Sequence, residues 1–409
     1  MPRRAHRLIA SSMLALLLLS GCGGGLTATE LTAGMQPASA ASLEVGESSR
    51  TYDFALDLLR QDAGKKNALV SPLSVLSALA LAESGADGET LAQMERATGM
   101  SNSELTDLIQ AYGTPADDGP LWSANSVWLR DSDDLTVEED FLEACGGKLG
   151  AQVFSAPFDD STVADVNTWV SDKTHGMITQ MLGQISADAQ VLLVNALAFE
   201  GAWEEPFDSA LVAPDTFTRE DGIEQDVTMM HSTEGSYLEG ELATGFVKPY
   251  AGYDYAFVGL LPAEGVSVDE LLAGLDGTAL KELLTPVEGA AADIGLPRFT
   301  ASYEAELSDT LRALGMTDAF EAGRADFSRM GASGQGPLYV GSVLHKTFID
   351  VNEEGTRAAA ATTVSMDGAD APSEPIERHE VILDRPFVYL IVDLRTDMPL
   401  FIGTFMGVE

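Results

Sequence analysis

From Ser48 to the C-terminus the chain carries secondary-structure patterning without a low-complexity break, and helices come first while strands dominate the end. Helical periodicity marks 52–60, where Phe54 and Leu58 share a face. Ser71 then opens a helix over 72–83 as N-cap, with Pro72 at the first helical position. Further helices are expected at 89–97, 103–111, 138–145, 161–174, 268–275, 279–284 and 304–314. Strands are expected at 190–199, which is β-branched and leucine-rich, at the nearly all-apolar 255–261, and as a terminal pair at 386–394 and 400–405. A doubly wound parallel sheet needs helix and strand to alternate. This order does not, so the expected class is α+β in one large domain. No internal repeat at solenoid or propeller spacing interrupts it.

The first residues stand outside that domain. Arg3, Arg4 and Arg7 precede an apolar run from Leu8 to Leu19, too short to span a bilayer comfortably and followed by small residues. That is the layout of a secretory signal over 1–21. Leu19-Ser20-Gly21-Cys22 resembles a bacterial lipoprotein box, in which cleavage precedes a cysteine that is then lipidated; an ordinary signal peptide with an incidental cysteine is the plainer alternative. Residues 22–46 then read as the lipidated Cys22 and a flexible linker, since 23–45 are rich in Gly, Ala, Thr and Ser without apolar periodicity. The expected protein is secreted and anchored by lipid to the outside of a bacterial membrane, its single domain spanning 47–409.

Charge and cysteine content narrow the function. With 23 Lys+Arg against 64 Asp+Glu the net charge is −41, and loss of residues 1–21 removes three arginines and no acid, giving −44. Nucleic-acid binding is excluded, because affinity for phosphate requires cations that displace counterions. A polybasic membrane patch is excluded on the same ground, and a self-repelling monomer is expected. Only Cys22 and Cys145 are present, so with Cys22 lipidated no intrachain disulfide forms; Cys145 reads as a small buried residue.

Catalytic constellations are missing from the sequence. His6, His175, His231, His345 and His379 include no i, i+4 pair of the kind that holds zinc on a helix. Ser333 lies in Gly331-Ala332-Ser333-Gly334-Gln335, which departs from the nucleophile elbow at its last position, and no phosphate loop or Ser-x-x-Lys motif occurs. The many acidic pairs read as solvated surface. Neither a metal nor a cofactor is expected, and the chain is read as a non-enzyme.

One segment needs its own explanation. Between Asn352 and Pro386 the chain is too long for an ordinary loop. Taken in alternation, Thr356, Ala358, Ala360, Thr362, Val364 and Met366 carry no charge, while the other phase holds Arg357, Ala359, Ala361, Thr363, Ser365 and Asp367. Residues two apart share a face of a strand, so this segment could enter a sheet with one face buried and no charge buried with it. Its alanines suit a short helix equally, and its composition suits a loose tether.

At this point the chain resembles a known family. Asp350-Val-Asn-Glu-Glu-Gly-Thr-Arg-Ala-Ala-Ala-Ala-Thr362 looks like the reactive-loop hinge of serpins. Asn67-Ala-Leu-Val-Ser-Pro-Leu-Ser74 resembles the family's early helix start, and Val194-Asn-Ala-Leu-Ala-Phe-Glu-Gly-Ala-Trp-Glu-Glu-Pro-Phe-Asp208 its central strand and the turn beyond. Asp384-Arg-Pro-Phe-Val-Tyr-Leu-Ile391 and Pro399-Leu-Phe-Ile-Gly-Thr-Phe405 resemble its C-terminal strands. The blocks keep the family's order over about 48–409.

The resemblance implies three β-sheets with a large central one, about nine helices, and an exposed reactive loop at about 353–380. It implies inhibition of a serine-type endopeptidase: the protease cleaves the loop, forms an acyl-enzyme, and is trapped when the cut loop inserts as a new strand. The hinge would be Glu353, Glu354, Gly355, Thr356, Arg357, Ala358, Ala359, Ala360, Ala361 and Thr362; Arg357 departs from the acidic or small residue common there. Ser71, Ser74, Asn195 and His345 fall where the family has a polar cluster beneath the sheet opening, and Trp203 where it has a tryptophan at the top. Family spacing from Glu353 puts the scissile bond at Ala369–Asp370, with Met366 the second choice, although counting back from Pro386 lands near Pro375. A small apolar residue there suits an elastase-like or subtilisin-like protease. The alternatives are a non-inhibitory scaffold lipoprotein whose loop never inserts, and a solute-binding lipoprotein, which the non-alternating order disfavours.

Overall fold

The computed structural model describes residues 25–37, 48–61, 66–112, 119–186, 188–334, 336–356 and 376–408. Val191–Phe199 is an unbroken apolar run, and a strand of that kind is stable only when both of its faces are covered. Every one of its residues is buried, and a sheet is built around it.

This central sheet contains β1 (Thr29–Glu30), β2 (Leu121–Arg130), β3 (Gln152–Ala156), β4 (Val191–Phe199), β5 (Gly201–Ala202), β6 (Phe299–Glu306), β7 (Val340–Val351) and β8 (Gly355–Thr356), in the order β1-β3-β2-β4-β7-β8-β5 with β6 on β7. One face of β2 and β4 is covered by α2 (Asp160–Lys173), whose Val166, Trp169 and Val170 pack with Trp128, Phe154, Leu192, Val194 and Ala196. The opposite face rests on α1 (Pro72–Gly85), which lies between β4 and the six-stranded sheet. All fourteen residues of α1 are buried, as expected of a helix with no polar face. Ser71 caps it, its Oγ accepting from Ser74 N at 3.2 Å.

The six-stranded sheet runs Tyr237–Glu239, Ala243–Pro249, Tyr255–Pro262, Phe387–Asp393, Met398–Phe405, Ala68–Val70. A four-stranded sheet runs Glu377–Ile382, Ala290–Pro297, Glu224–Glu234, Val212–Thr218, and Gly331–Ala332 pairs with Thr136–Val137 as a short ribbon. Nine α-helices occur among the described residues. The α+β architecture with a large central sheet is the one expected.

Three expectations need correction. Glu304 does not begin a helix: Phe299–Glu306 continues as a strand, and the helix is Ser308–Ala313. The strand Glu377–Ile382 takes in the last residues assigned to the reactive loop. The flexible linker expected over 22–46 is, over 25–37, a docked strap. Thr29 and Glu30 pair antiparallel with Ser155 and Phe154. Asp165 of α2 accepts at one oxygen from Thr27 N (2.9 Å), Thr27 Oγ1 (2.7 Å) and Ala28 N (2.8 Å). Leu31 N donates to Val153 O at 2.7 Å, and Val153 N to Thr32 Oγ1 at 3.1 Å. Backbone hydrogen bonds to a sheet edge need no apolar side-chain signature, so low complexity concealed this strand.

α1 also carries a buried acid. Neither carboxylate oxygen of Glu83 has a hydrogen-bond partner among the described residues, and burial, helped by nearby Glu95, pushes its pKa up to about 8. A carboxyl raised in the folded state contributes stability that is fully present below its unfolded pKa and lost as pH rises through 8. Glu83→Gln is therefore expected to unfold at a higher urea concentration than the parent at pH 9, by a few kcal/mol, with the gap closing toward pH 5. Parallel urea titrations at the two pH values check this.

Candidate functional site

The central sheet is only partly closed. β4 and β7 run parallel and pair from Val191/Val340 to Ala196/Lys346, with a bulge between Val340 and Ser342 and one register from Leu192/Ser342 onward. Above that seam β8 enters between the two halves: Thr356 pairs with Val351 on one side and Gly201 on the other, and Gly355 pairs with Ala202. Thr356 is wholly buried, and its Oγ1 shares a hydrogen bond of 2.5 Å with the Tyr250 hydroxyl.

Trp203 holds this entry. Its Nε1 donates to Asn352 O and its backbone N to Glu354 O, both at 2.9 Å, while Phe207 N donates to Glu353 O at 3.0 Å. Its ring stacks on Tyr250 at 4.5 Å. Glu353 is paired with Arg298 of the strand end beside it. Beneath these rings lies Lys248, 1% exposed, held to Glu234 at 2.7 Å and placed over the Phe207 ring at 4.3 Å. A cation so buried persists only with such a partner.

Lower in the seam the four cluster residues meet. Asn195 and His345 are register partners across β4 and β7, and Ser71 and Ser74 reach them from the start of α1. Ser71 N donates to His345 Nε2 at 3.2 Å, so Nε2 carries no proton and the neutral ring holds its hydrogen on Nδ1, 3.3 Å from Ser74 Oγ. Ser74 Oγ in turn donates to Asn195 Oδ1, and Asn195 Nδ2 donates to Asn125 Oδ1 of β2. The chain of bonds thus crosses the seam between β4 and β7.

Burial alone pushes the His345 pKa down to about 4. A histidine depressed in the folded state binds its proton in the unfolded chain first, so stability falls as pH drops from about 6.5 toward 4. Protonation at Nε2 would also set one N–H against another. The His345 contribution alone should fall by about 3 kcal/mol across that window. A His345→Gln variant should lose less over the same window, and urea unfolding of both proteins at pH 7 and 4.5 reads the difference. Glu83 acts with opposite sign in both proteins and cancels in the comparison.

Of the expected site residues, Glu353, Glu354, Gly355, Thr356, Trp203, Ser71, Ser74, Asn195 and His345 gather along this one seam. Arg357, Ala358, Ala359, Ala360, Ala361, Thr362, Met366, the Ala369–Asp370 bond and Cys22 lie outside the described residues. Tyr250, Arg298 and Asn125 belong to the site but were not singled out in the sequence. Cys145 is buried and unpaired by disulfide, its thiol pKa pushed up by burial. No cluster of three or more His, Cys, Asp or Glu suited to a metal occurs among the described residues.

Comparison with known proteins gives one consistent result. Residues 49–408 match the family model described as Serpin (serine protease inhibitor). A serine protease inhibitor of Cyanea capillata is 32% identical over 379 residues, covering 89% of this chain and 98% of its own. Among solved structures, the thermophilic serpin Tengpin in its native state superposes with a TM-score of 0.85 at 39% identity, over 93% of this chain and 100% of that one. The latent state of the same protein gives 0.77 at 38% identity, over 90% and 100%.

Proposed function

Because the chain belongs to the serpin family, whose members are in general inhibitors of serine proteases, we propose that it inhibits a serine-type endopeptidase by suicide trapping, through insertion of its cut loop into the central sheet. Strand addition to a sheet is a known mode of recognition, of which serpin loop insertion is a standard case.

The observation that carries the reading is the position of Thr356. It already occupies the first rung of the site where a new strand would lie. Continued along β4, the same register sets Ala358 opposite Phe199, Ala360 opposite Leu197, Thr362 opposite Asn195, Val364 opposite Leu193 and Met366 opposite Val191. Continued along β7, it sets Thr362 opposite His345. The uncharged phase of the loop therefore spans the whole length of β4 on the face that Thr356 turns inward, and Thr362 arrives at the polar cluster able to replace the bonds it breaks. Arg357 falls in the other phase.

Cleavage at Ala369–Asp370 leaves all of Thr356–Met366 on the acyl side, long enough to fill the sheet. A small residue at that bond favours an elastase-like or subtilisin-like target. The protein acts as a monomer anchored by lipid at Cys22 outside the cytoplasm, without a cofactor. Incubation with elastase, subtilisin and trypsin should give an SDS-resistant adduct with one of the first two, and a released peptide beginning at Asp370. A chain that is cut without adduct would refute inhibition and leave a serpin-fold scaffold.

A further inference from the structure

The strap has a direction. Register follows from β4 through β2 to β3: Phe199 lies opposite Leu121 at the hinge end and Val191 opposite Leu129 at the far end, while Arg130 lies beside Ala156. Thr29 faces Ser155 and Glu30 faces Phe154, so the strap climbs from the far end and the residues before Thr27 leave the body there. From Gly201 to Gln190 the sheet measures roughly 35 Å at about 3.3 Å per residue. The strap residues before Thr27 therefore leave the body at the pole opposite the hinge.

We propose that the docked strap seats the anchored protein on the bilayer by this pole, loop outward, and that it must unfasten when a protease is trapped. The inference rests on the lipid anchor at Cys22 and on suicide trapping as read above. With the strap docked, only residues 23–26 separate Cys22 from Thr27, a reach of at most about 17 Å. Insertion in the register set by Thr356 brings Met366 to Val191, and with it the acyl-linked protease to this same pole. The new strand and β1 stand four strand spacings apart, about 19 Å.

A protease of roughly 230 residues is about 45 Å across. It does not fit between the pole and a bilayer held about 17 Å away. Released, the strap frees the chain from Cys22 to Ser48, a reach of up to about 90 Å, which leaves room. The strap is fastened by means that permit this: one carboxylate, a two-residue strand and a few flanking bonds, with Leu26, Ala28 and Leu31 only partly buried.

The test locks the strap. Leu31 N bonds to Val153 O, so Thr29 and Ser155, two residues along, form a pair of the same kind with Cα atoms about 5.5 Å apart, within disulfide range. Parent and Thr29→Cys/Ser155→Cys chains beginning at Cys22, which keep every described residue, are compared free and coupled through the Cys22 thiol to a maleimide phospholipid in phosphatidylcholine vesicles. Cys145 is buried and takes no part. The readout is the number of chains consumed per protease trapped as SDS-resistant adduct.

Only the locked, vesicle-bound chain should change, consuming at least five times more protein per adduct, and reduction of the disulfide should restore it. Equal stoichiometry for the locked chain on and off vesicles would overturn the proposal. So would failure of the locked chain free in solution, since the strap would then act on the sheet itself and not through tether length. If the free parent gives no adduct, suicide trapping is wrong and the inference falls with it.

Discussion

Thr356→Arg should convert the protein from a trap into a plain substrate. Thr356 is wholly buried between Val351 and Gly201 and bonded to the Tyr250 hydroxyl. No acid lies among those contacts to pair with a guanidinium, and an unpaired buried charge costs several kcal/mol. If half of a 3 kcal/mol cost is felt at the barrier to insertion, the loop enters about tenfold more slowly. Deacylation does not slow with it, so partitioning shifts toward release of active protease. The expected result is cleavage at the parent rate with the ratio of cut chain to adduct raised about tenfold, measured by titrating protease against inhibitor and resolving adduct from cut chain on a denaturing gel. Thr356→Ser, which keeps the hydroxyl and adds no bulk or charge, should trap nearly as well as the parent. A Thr356→Arg chain that traps at parental stoichiometry would remove the insertion account of this hinge.

Cleavage of the loop should raise thermal stability by at least about 10 °C. The native sheet has a closed seam only from Val191/Val340 to Ala196/Lys346, and a two-residue strand above it. Filling the site with Thr356–Met366 adds ladder hydrogen bonds on both sides along about ten residues. At about 1 kcal/mol net per bond the gain is on the order of 10 kcal/mol. For a domain larger than 250 residues each kcal/mol moves Tm by somewhat less than the 2–4 °C typical of smaller ones, which gives the figure above. Calorimetry before and after limited proteolysis within the loop measures it. A cut chain that melts at the parental temperature would favour the non-inserting scaffold.

The sequence disclosed those parts of the site that are contiguous in the chain. The hinge, the helix start at Ser71-Pro72 and the block from Val194 to Trp203 each form a readable motif, and the alternation from Thr356 to Met366 is visible without a structure. Tyr250, Arg298 and Asn125 were not legible, because each reaches the site from a segment far away in sequence and none stands in a pattern of its own. That Thr356 is already seated was not legible either, since it depends on strand register. Phe299–Glu306 misled through its acidic residues, whose spacing at 304 and 306 resembles a helix start, while its burial alternates as a strand. The strap was hidden by a composition that serves an extended edge as well as a free linker.

The engaged rung at Thr356 has a bearing on speed. In any zipper the costly event is the first closure, which gives up chain freedom for little return, and each later tooth is cheap. Here Thr356 is already paired, so on the proposed trapping mechanism the race against hydrolysis starts from a primed state. Charges placed deeper, at Ala360 or Val364, should leave priming intact and stall the zipper midway, yielding a partly closed species that the Thr356 substitution never reaches.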